Sequence, residues 1–184
     1  MEYTSLFETK FGTGIVFSSA KGICRVLLPA VDADCRYEQA AAGISSPLTE
    51  LTSDMLNKYF KGVPQNFATL SVDLDELTLF RSEILQHIRS IPFGKVMSYG
   101  EVAAMVGLSG AARAIGGAMA SNPVPIIIPC HRIVGANGKL TGFSAPGGIK
   151  LKKYLLQMEG VEFQGEGVRQ KNDGYKQGKV GMKI

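Results

Sequence analysis

The sequence predicts a mixed α/β protein of the α+β kind: a small N-terminal antiparallel sheet domain, then a mostly helical C-terminal domain with a helix-turn-helix. Three observations predict it. Short β-prone runs joined by a hairpin turn open the chain, and the apolar period becomes helical from Leu77. A capping box then starts the first of two short helical segments separated by Gly107-Leu108.

Taken in order, Tyr3–Thr9 and residues 14–19 and 22–28 read as strands, with Ala20-Lys21-Gly22 turning between the last two. Residues 32–46 are polar and alanine-rich, as in a loop. Residues 47–60 show helical spacing at Leu48, Leu51, Met55, Leu56 and Tyr59, and residues 67–74 read as a further strand. Leu79, Phe80, Ile84, Leu85 and Ile88 form the apolar stripe of a helix that Pro92-Phe93-Gly94 stops. Ser98 and Glu101 supply the capping box of a helix ending at Gly107, and Ser109 is the expected cap of the next, over residues 110–121. Ile133-Val134 reads as a short strand, residues 135–138 as a turn, and residues 140–148 as a glycine-rich loop holding Phe143. Residues 150–158 form a last amphipathic helix with Leu151, Tyr154 and Leu155 on one face, closed by Gly160. Three segments follow: an N-terminal domain over 1–76, a second domain over 77–163, and a flexible basic tail over 164–184.

Composition narrows the function classes. With 45% hydrophobic and 20% charged residues among 184, this is the balance of a soluble protein. No window reaches the apolar length of a membrane span, and the first residues lack a signal-peptide layout. Cys24, Cys35 and Cys130 are odd in number and widely spread, which suits a reduced, cytoplasmic thiol protein. Cys24, Cys35 and His87 lack zinc-finger spacing, so zinc is not expected. Residues 1–80 carry six Lys/Arg against ten Asp/Glu, and residues 81–184 carry fourteen against six. A basic C-terminal part fits an anionic partner such as nucleic acid, and equally a solvated basic surface.

Chemistry concentrates at Ile126-Ile127-Ile128-Pro129-Cys130-His131-Arg132. At an ordinary pKa of about 8.5 only a few per cent of a thiol is ionised at neutral pH, so a reactive cysteine needs cations or hydrogen-bond donors nearby. Here Pro129 ends an apolar run just before the thiol, and one of two histidines and an arginine follow it. Upstream, the helix containing Arg113 is otherwise almost all alanine and glycine. Two interior glycines cost about 1 kcal/mol each, which close packing inside the fold or close approach of a nucleic-acid backbone would offset. Arg113 fits only the second reading. Glu159 stands at a helix C-terminus, where the dipole disfavours a carboxylate, a hint that it serves another purpose.

These pieces together resemble the O6-alkylguanine-DNA alkyltransferase family. The resemblance is carried by Arg113-Ala114-Ile115-Gly116-Gly117-Ala118-Met119, Asn122-Pro123-Val124-Pro125, Ile128-Pro129-Cys130-His131-Arg132 and Leu155-Leu156-Gln157-Met158-Glu159-Gly160, with residues 80–107 similar to the segment that leads into its helix-turn-helix. It implies a ribonuclease H-like N-terminal domain and a single-turnover repair reaction needing no cofactor or metal. An alkyl group passes from guanine O6 in double-stranded DNA to Cys130, with O4 of thymine left open. Through a bound water His131 would take the thiol proton, Glu159 would orient the imidazole, and Asn122 would brace the turn before the active-site segment. Arg113 would fill the stack vacated by a flipped nucleotide, Tyr99 would press on the adjacent phosphate, and Ala112, Ala114, Gly116 and Arg132 would meet DNA through the minor groove. Tyr99, Val134, Phe143 and Ser144 would form the base pocket, with backbone groups near Val134 reading the guanine edge. Phe143 stands where some relatives have tyrosine, and Ser144-Ala145-Pro146 lengthens the loop.

The resemblance thus implies a methylated-DNA–protein-cysteine methyltransferase that is monomeric and cytoplasmic, with no membrane partner. The alternative is a lesion-binding module that holds alkylated DNA without transfer. A cysteine hydrolase is the third reading, disfavoured because neighbours in an extended segment point to opposite faces.

Overall fold

The computed structural model describes residues 2–29 and 43–169. Most of the expected loop over 32–46, together with Cys35, lies outside the described residues. The chain divides into two compact units: residues 1–75 with Pro123–Ile127, and Glu76–Asn122 with residues 128–184.

In the first unit, β1 (Tyr3–Thr9), β2 (Gly12–Ser18) and β3 (Ile23–Leu27) form one antiparallel sheet in sequence order. Ile15, Val16 and Phe17 are consecutive and buried, because the central strand is covered on both faces. On one face Ile15 and Phe17 pack with Cys24 and Leu27. On the other, Phe7 stacks on Phe60 just beyond helix α1 (Pro47–Tyr59), with ring centroids 5.9 Å apart. The buried side of α1 differs from the expected leucine stripe: Thr49, Thr52, Ser53, Leu56 and Tyr59 face inward, and Leu51 is 53% exposed. The threonine hydroxyls on this face find partners close by, whereas Ser53 Oγ is buried without one among the described residues. Thr52 Oγ1 donates to the Leu48 carbonyl at 2.7 Å, and Ser5 Oγ donates to Thr49 Oγ1 at 2.9 Å. The strand expected over 67–74 is instead a 3₁₀ turn (Phe67–Thr69) and a single parallel bridge between Val72 and Ile23.

In the second unit, α2 (Leu79–Ile88) buries Ile84, Leu85 and Ile88, while Leu79 is 82% exposed at its start. Strand β4 (Met97–Ser98) runs into α3 (Tyr99–Met105) through the expected capping box, in which Glu101 N donates to Ser98 Oγ and Ser98 N donates to Glu101 Oε2. Helix α4 (Ala112–Ala120) follows across Gly107 and completes the helix-turn-helix. It starts at Ala111 with no side-chain cap, so Ser109 does not cap it. Strand β5 (Ile133–Val134) pairs in parallel with β4, and α5 (Gly148–Met158) begins two residues before its expected start.

The first residues assigned to the tail, 164–168, belong instead to a hairpin. Phe163–Gln164 (β6) and Gly167–Val168 (β7) form a hairpin whose Val168 is buried with Val134, Leu140 and Leu156. Residues 170–184 lie outside the described residues. The hairpin fits because Gly138, at φ +75°, presents no side chain: a Cβ there would sit 2.1 Å from the Val168 carbonyl oxygen. Gly138→Ala adds both that clash and left-handed strain, and should lower unfolding stability by about 1–3 kcal/mol, read as a fall in denaturation midpoint.

Candidate active site

Cys130, His131 and Arg132 form a 3₁₀ turn, not the expected extended segment. All three side chains are buried. Strand β5 leaves this turn directly, and α5 packs beside it. The C-terminus of α5 thereby brings Glu159 to the turn.

Glu159 is the hub. Oε1 accepts from His131 Nε2 at 2.8 Å and from Arg132 Nη2 at 2.9 Å. Oε2 accepts from Arg132 Nε at 2.9 Å and from the Gly94 amide at 3.1 Å. Gly94 can reach it only as glycine, since a Cβ there would lie 2.7 Å from the Glu159 carbonyl oxygen. Burial alone would raise the Glu159 carboxyl, but His131 and Arg132 outweigh it and hold the group well below the usual carboxylate range. Burial pushes His131 the other way, below the ordinary imidazole value; Glu159 opposes that shift, and Arg132 and Lys152 add to it. The ring is therefore neutral at pH 7, the state a general base needs.

The sulfur is held differently from what its neighbours in sequence suggest. Arg132 turns away from it: beyond its fork on Glu159, Nη1 donates to the Ile91 carbonyl at 2.6 Å. Burial raises the Cys130 thiol, and Asn122, Lys152 and the backbone amides of Cys130 and His131 partly offset this. Asn122 Nδ2 lies 3.1 Å from Sγ and 2.9 Å from the Ile128 carbonyl, so one amide spans the neck of the segment 123–127 and touches the sulfur. At rest Cys130 is a thiol that needs its proton removed.

Cys130 lines a cavity of about 270 Å³ with Tyr99, Gly116, Met119, Ala120, Gly142, Phe143 and Ser144. That volume is near the lower end for ligand sites, the scale of a single base. Tyr99, Phe143 and Ser144 stand where the pocket was expected. The Val134 side chain lies in the core with Leu140, Leu156 and Val168, away from the cavity lining, so only its backbone is left for the expected contact with the guanine edge. On α4, Arg113 and Ala114 are exposed, and Ala112 and Gly116 half-buried. A Cβ at Gly117 would meet nothing within 4 Å, and one at Gly116 would only touch the Tyr99 ring at 3.9 Å. Internal packing therefore does not require either glycine. Arg132, expected on the DNA surface, is buried against Glu159. His87 Nδ1 donates to the Glu83 carbonyl within its own helix, at 2.7 Å, and takes no part in the cluster.

Lys152 was missed. Its side chain is wholly buried, and Nζ donates to the carbonyls of Ile133, Thr141 and Gly142. The sequence held a signal: residue 152 falls one turn before Leu155 and Leu156, on the inward face of the last helix. Among the described residues no group of His, Cys, Asp and Glu could hold a metal ion. No helix among them is long and apolar enough to cross a membrane.

Comparison with known proteins places this site in context. Residues 79–161 match the sequence profile described as 6-O-methylguanine DNA methyltransferase, DNA binding domain. A methylated-DNA–protein-cysteine methyltransferase of Salmonella typhimurium is 46% identical over 108 residues, 59% of this chain and 61% of that protein. One from Mycobacterium bovis is 47% identical over 107 residues, 58% and 62% of the two chains. The match thus spans about three fifths of these curated relatives. A crystal structure of the Mycobacterium tuberculosis O6-methylguanine methyltransferase superposes with a TM-score of 0.70 at 33% identity, covering 86% of this chain and 93% of that one. A structure of the same organism's OGT in complex with DNA gives 0.69 at 33%, covering 85% and 92%.

Removing the hub's charge leaves Arg132 buried without its anion. Glu159→Gln should therefore cost about 3–5 kcal/mol of stability, measured by denaturant unfolding at neutral pH.

Proposed function

We propose, from the premise that this chain belongs to the O6-methylguanine-DNA methyltransferase family, that it repairs DNA by moving an alkyl group from guanine O6 to Cys130. The observation that carries the reading is a neutral, Glu159-bound imidazole next in sequence to a thiol that opens on a base-sized cavity.

The protein's own residues supply each part. His131 takes the Cys130 proton through a water, and Glu159 stabilises the imidazolium that forms. Sγ attacks the alkyl carbon in line, the carbon–O6 bond breaks, and its electron pair leaves with guanine, which regains a proton. The product thioether has no easy return, so each molecule acts once. Asn122 donates to the sulfur as charge develops there, and it braces the turn that presents it.

DNA is the partner in this reading, met through the minor groove by α4, where Ala114 and Gly117 leave room for a close backbone. The helix glycines that packing does not require support this approach. Arg113 enters the stack as the damaged nucleotide flips, and Tyr99, Phe143 and Ser144 wall its pocket. The functional unit is the domain over 77–163, acting as a monomer in the cytoplasm. Lesion binding without transfer is the less favoured alternative, since acceptor, base and orienting carboxylate are all present.

Intact-mass measurement after incubation with O6-methylguanine duplex DNA should show one added methyl group on the Cys130 peptide, and none in Cys130→Ala. Tight binding with no mass change would leave lesion recognition as the function. Arg113→Ala should slow repair of duplex DNA by about tenfold or more, the order of one lost stacking contact. Its rate with free O6-alkylguanine base should stay near wild type, and an equal loss on both substrates would remove Arg113 from nucleotide flipping.

A further inference from the structure

Arg132 and Lys152 are both buried beside the reacting turn, but their charges are spent differently. Arg132 forks onto a carboxylate, so its field and that of Glu159 largely cancel. Lys152 has no carboxylate among its described partners. Three neutral carbonyls solvate its ammonium and leave its charge uncompensated. A lysine in that position is costly to keep, and straight-chain apolar residues would fill the same volume.

We propose that Lys152 is a positioning residue for alkyl transfer: its buried ammonium ties the Cys130 turn, the pocket loop and α5 together and supplies the positive field in which the Cys130 thiolate forms. The inference rests on the transfer reading above and adds a residue to it. The tie is direct, because Ile133 follows the turn and Gly142 lines the cavity. The field acts on two titrating groups, Cys130 and His131: it lowers the thiol and also helps to keep the imidazole neutral. Burial in turn pulls Lys152 down to about 8, with the charge on Cys130 opposing the shift. Below that pH the ammonium is present and assists ionisation of the sulfur. Above it the assistance fades, so the nucleophile's reactivity should rise with pH less steeply than that of an isolated thiol.

The test reads the thiol without DNA. Rates of Cys130 modification by iodoacetamide are followed against pH in wild type, Lys152→Met and Lys152→Arg. Lys152→Met should raise the apparent thiol pKa by about one unit, cutting the rate near neutrality about tenfold while the limiting rate at high pH is kept. Lys152→Arg, which restores charge without the same tie, should recover most of the loss. A deficit of equal size at every pH, or none at all, overturns the proposal.

Should Lys152→Met fail to fold, the reciprocal measurement decides. With ¹³C-labelled lysine, the Lys152 titration should move to lower pH in Cys130→Ser than in wild type, and an unchanged titration overturns the coupling. Failure of transfer itself reads separately: wild type would show the coupled titrations yet take no methyl group from DNA.

Discussion

One carboxylate organises the second unit. Two oxygens of Glu159 accept four hydrogen bonds from three residues on two stretches of chain, Gly94 and the adjacent His131 and Arg132. A buried anion is tolerable only when its acceptor sites are filled with good geometry, and here each oxygen takes two donors. The helix C-terminus that carries it opposes a negative charge, so the bidentate guanidinium and the imidazole must outweigh both burial and dipole. The result fixes the tautomer of His131: with Nε2 donating to the carboxylate, Nδ1 is the nitrogen left to accept a proton.

The same arrangement explains a thiol that is raised at rest. Burial dominates at Cys130, and the guanidinium that stands two residues away in sequence is turned onto the carboxylate. A thiol kept protonated resists adventitious oxidation and alkylation, since the thiolate is the reactive form. In the proposed reaction, ionisation is then tied to His131 as base and to the Lys152 ammonium.

Much of this was legible in sequence. The sheet, the capping box at Ser98 and Glu101, the two short helices and the dipole-opposed Glu159 each follow from local rules that the tertiary structure leaves intact. What could not be read was burial decided at long range. Arg132 looked like a surface cation because a lone guanidinium is expensive inside; its partner is 27 residues further on. Lys152 stands between Lys150 and Lys153 in sequence, and only its register marks it. Leu51 was expected inward, where threonines bonded to helix carbonyls pack closer to the sheet. Residues 164–168 were read with the tail because two-residue strands carry no period.

The segment Pro123–Ile127 sits between α4 and the Cys130 turn in sequence, yet clusters with the first unit, where the Val26 amide donates to the Pro123 carbonyl at 2.9 Å. Val124, Ile126 and Ile127 are buried, and Ile126 holds φ +74°, a conformation that a β-branched residue adopts only under constraint. The polypeptide therefore crosses between the units three times instead of once. Severing it near residue 76 would not yield two independent pieces: the C-terminal fragment would keep a greasy five-residue loop stripped of its cover, ending three residues before Cys130 in sequence. Dissection by a single cut is ruled out by the threading, and a fragment meant to stand alone would need that loop redesigned along with the new terminus.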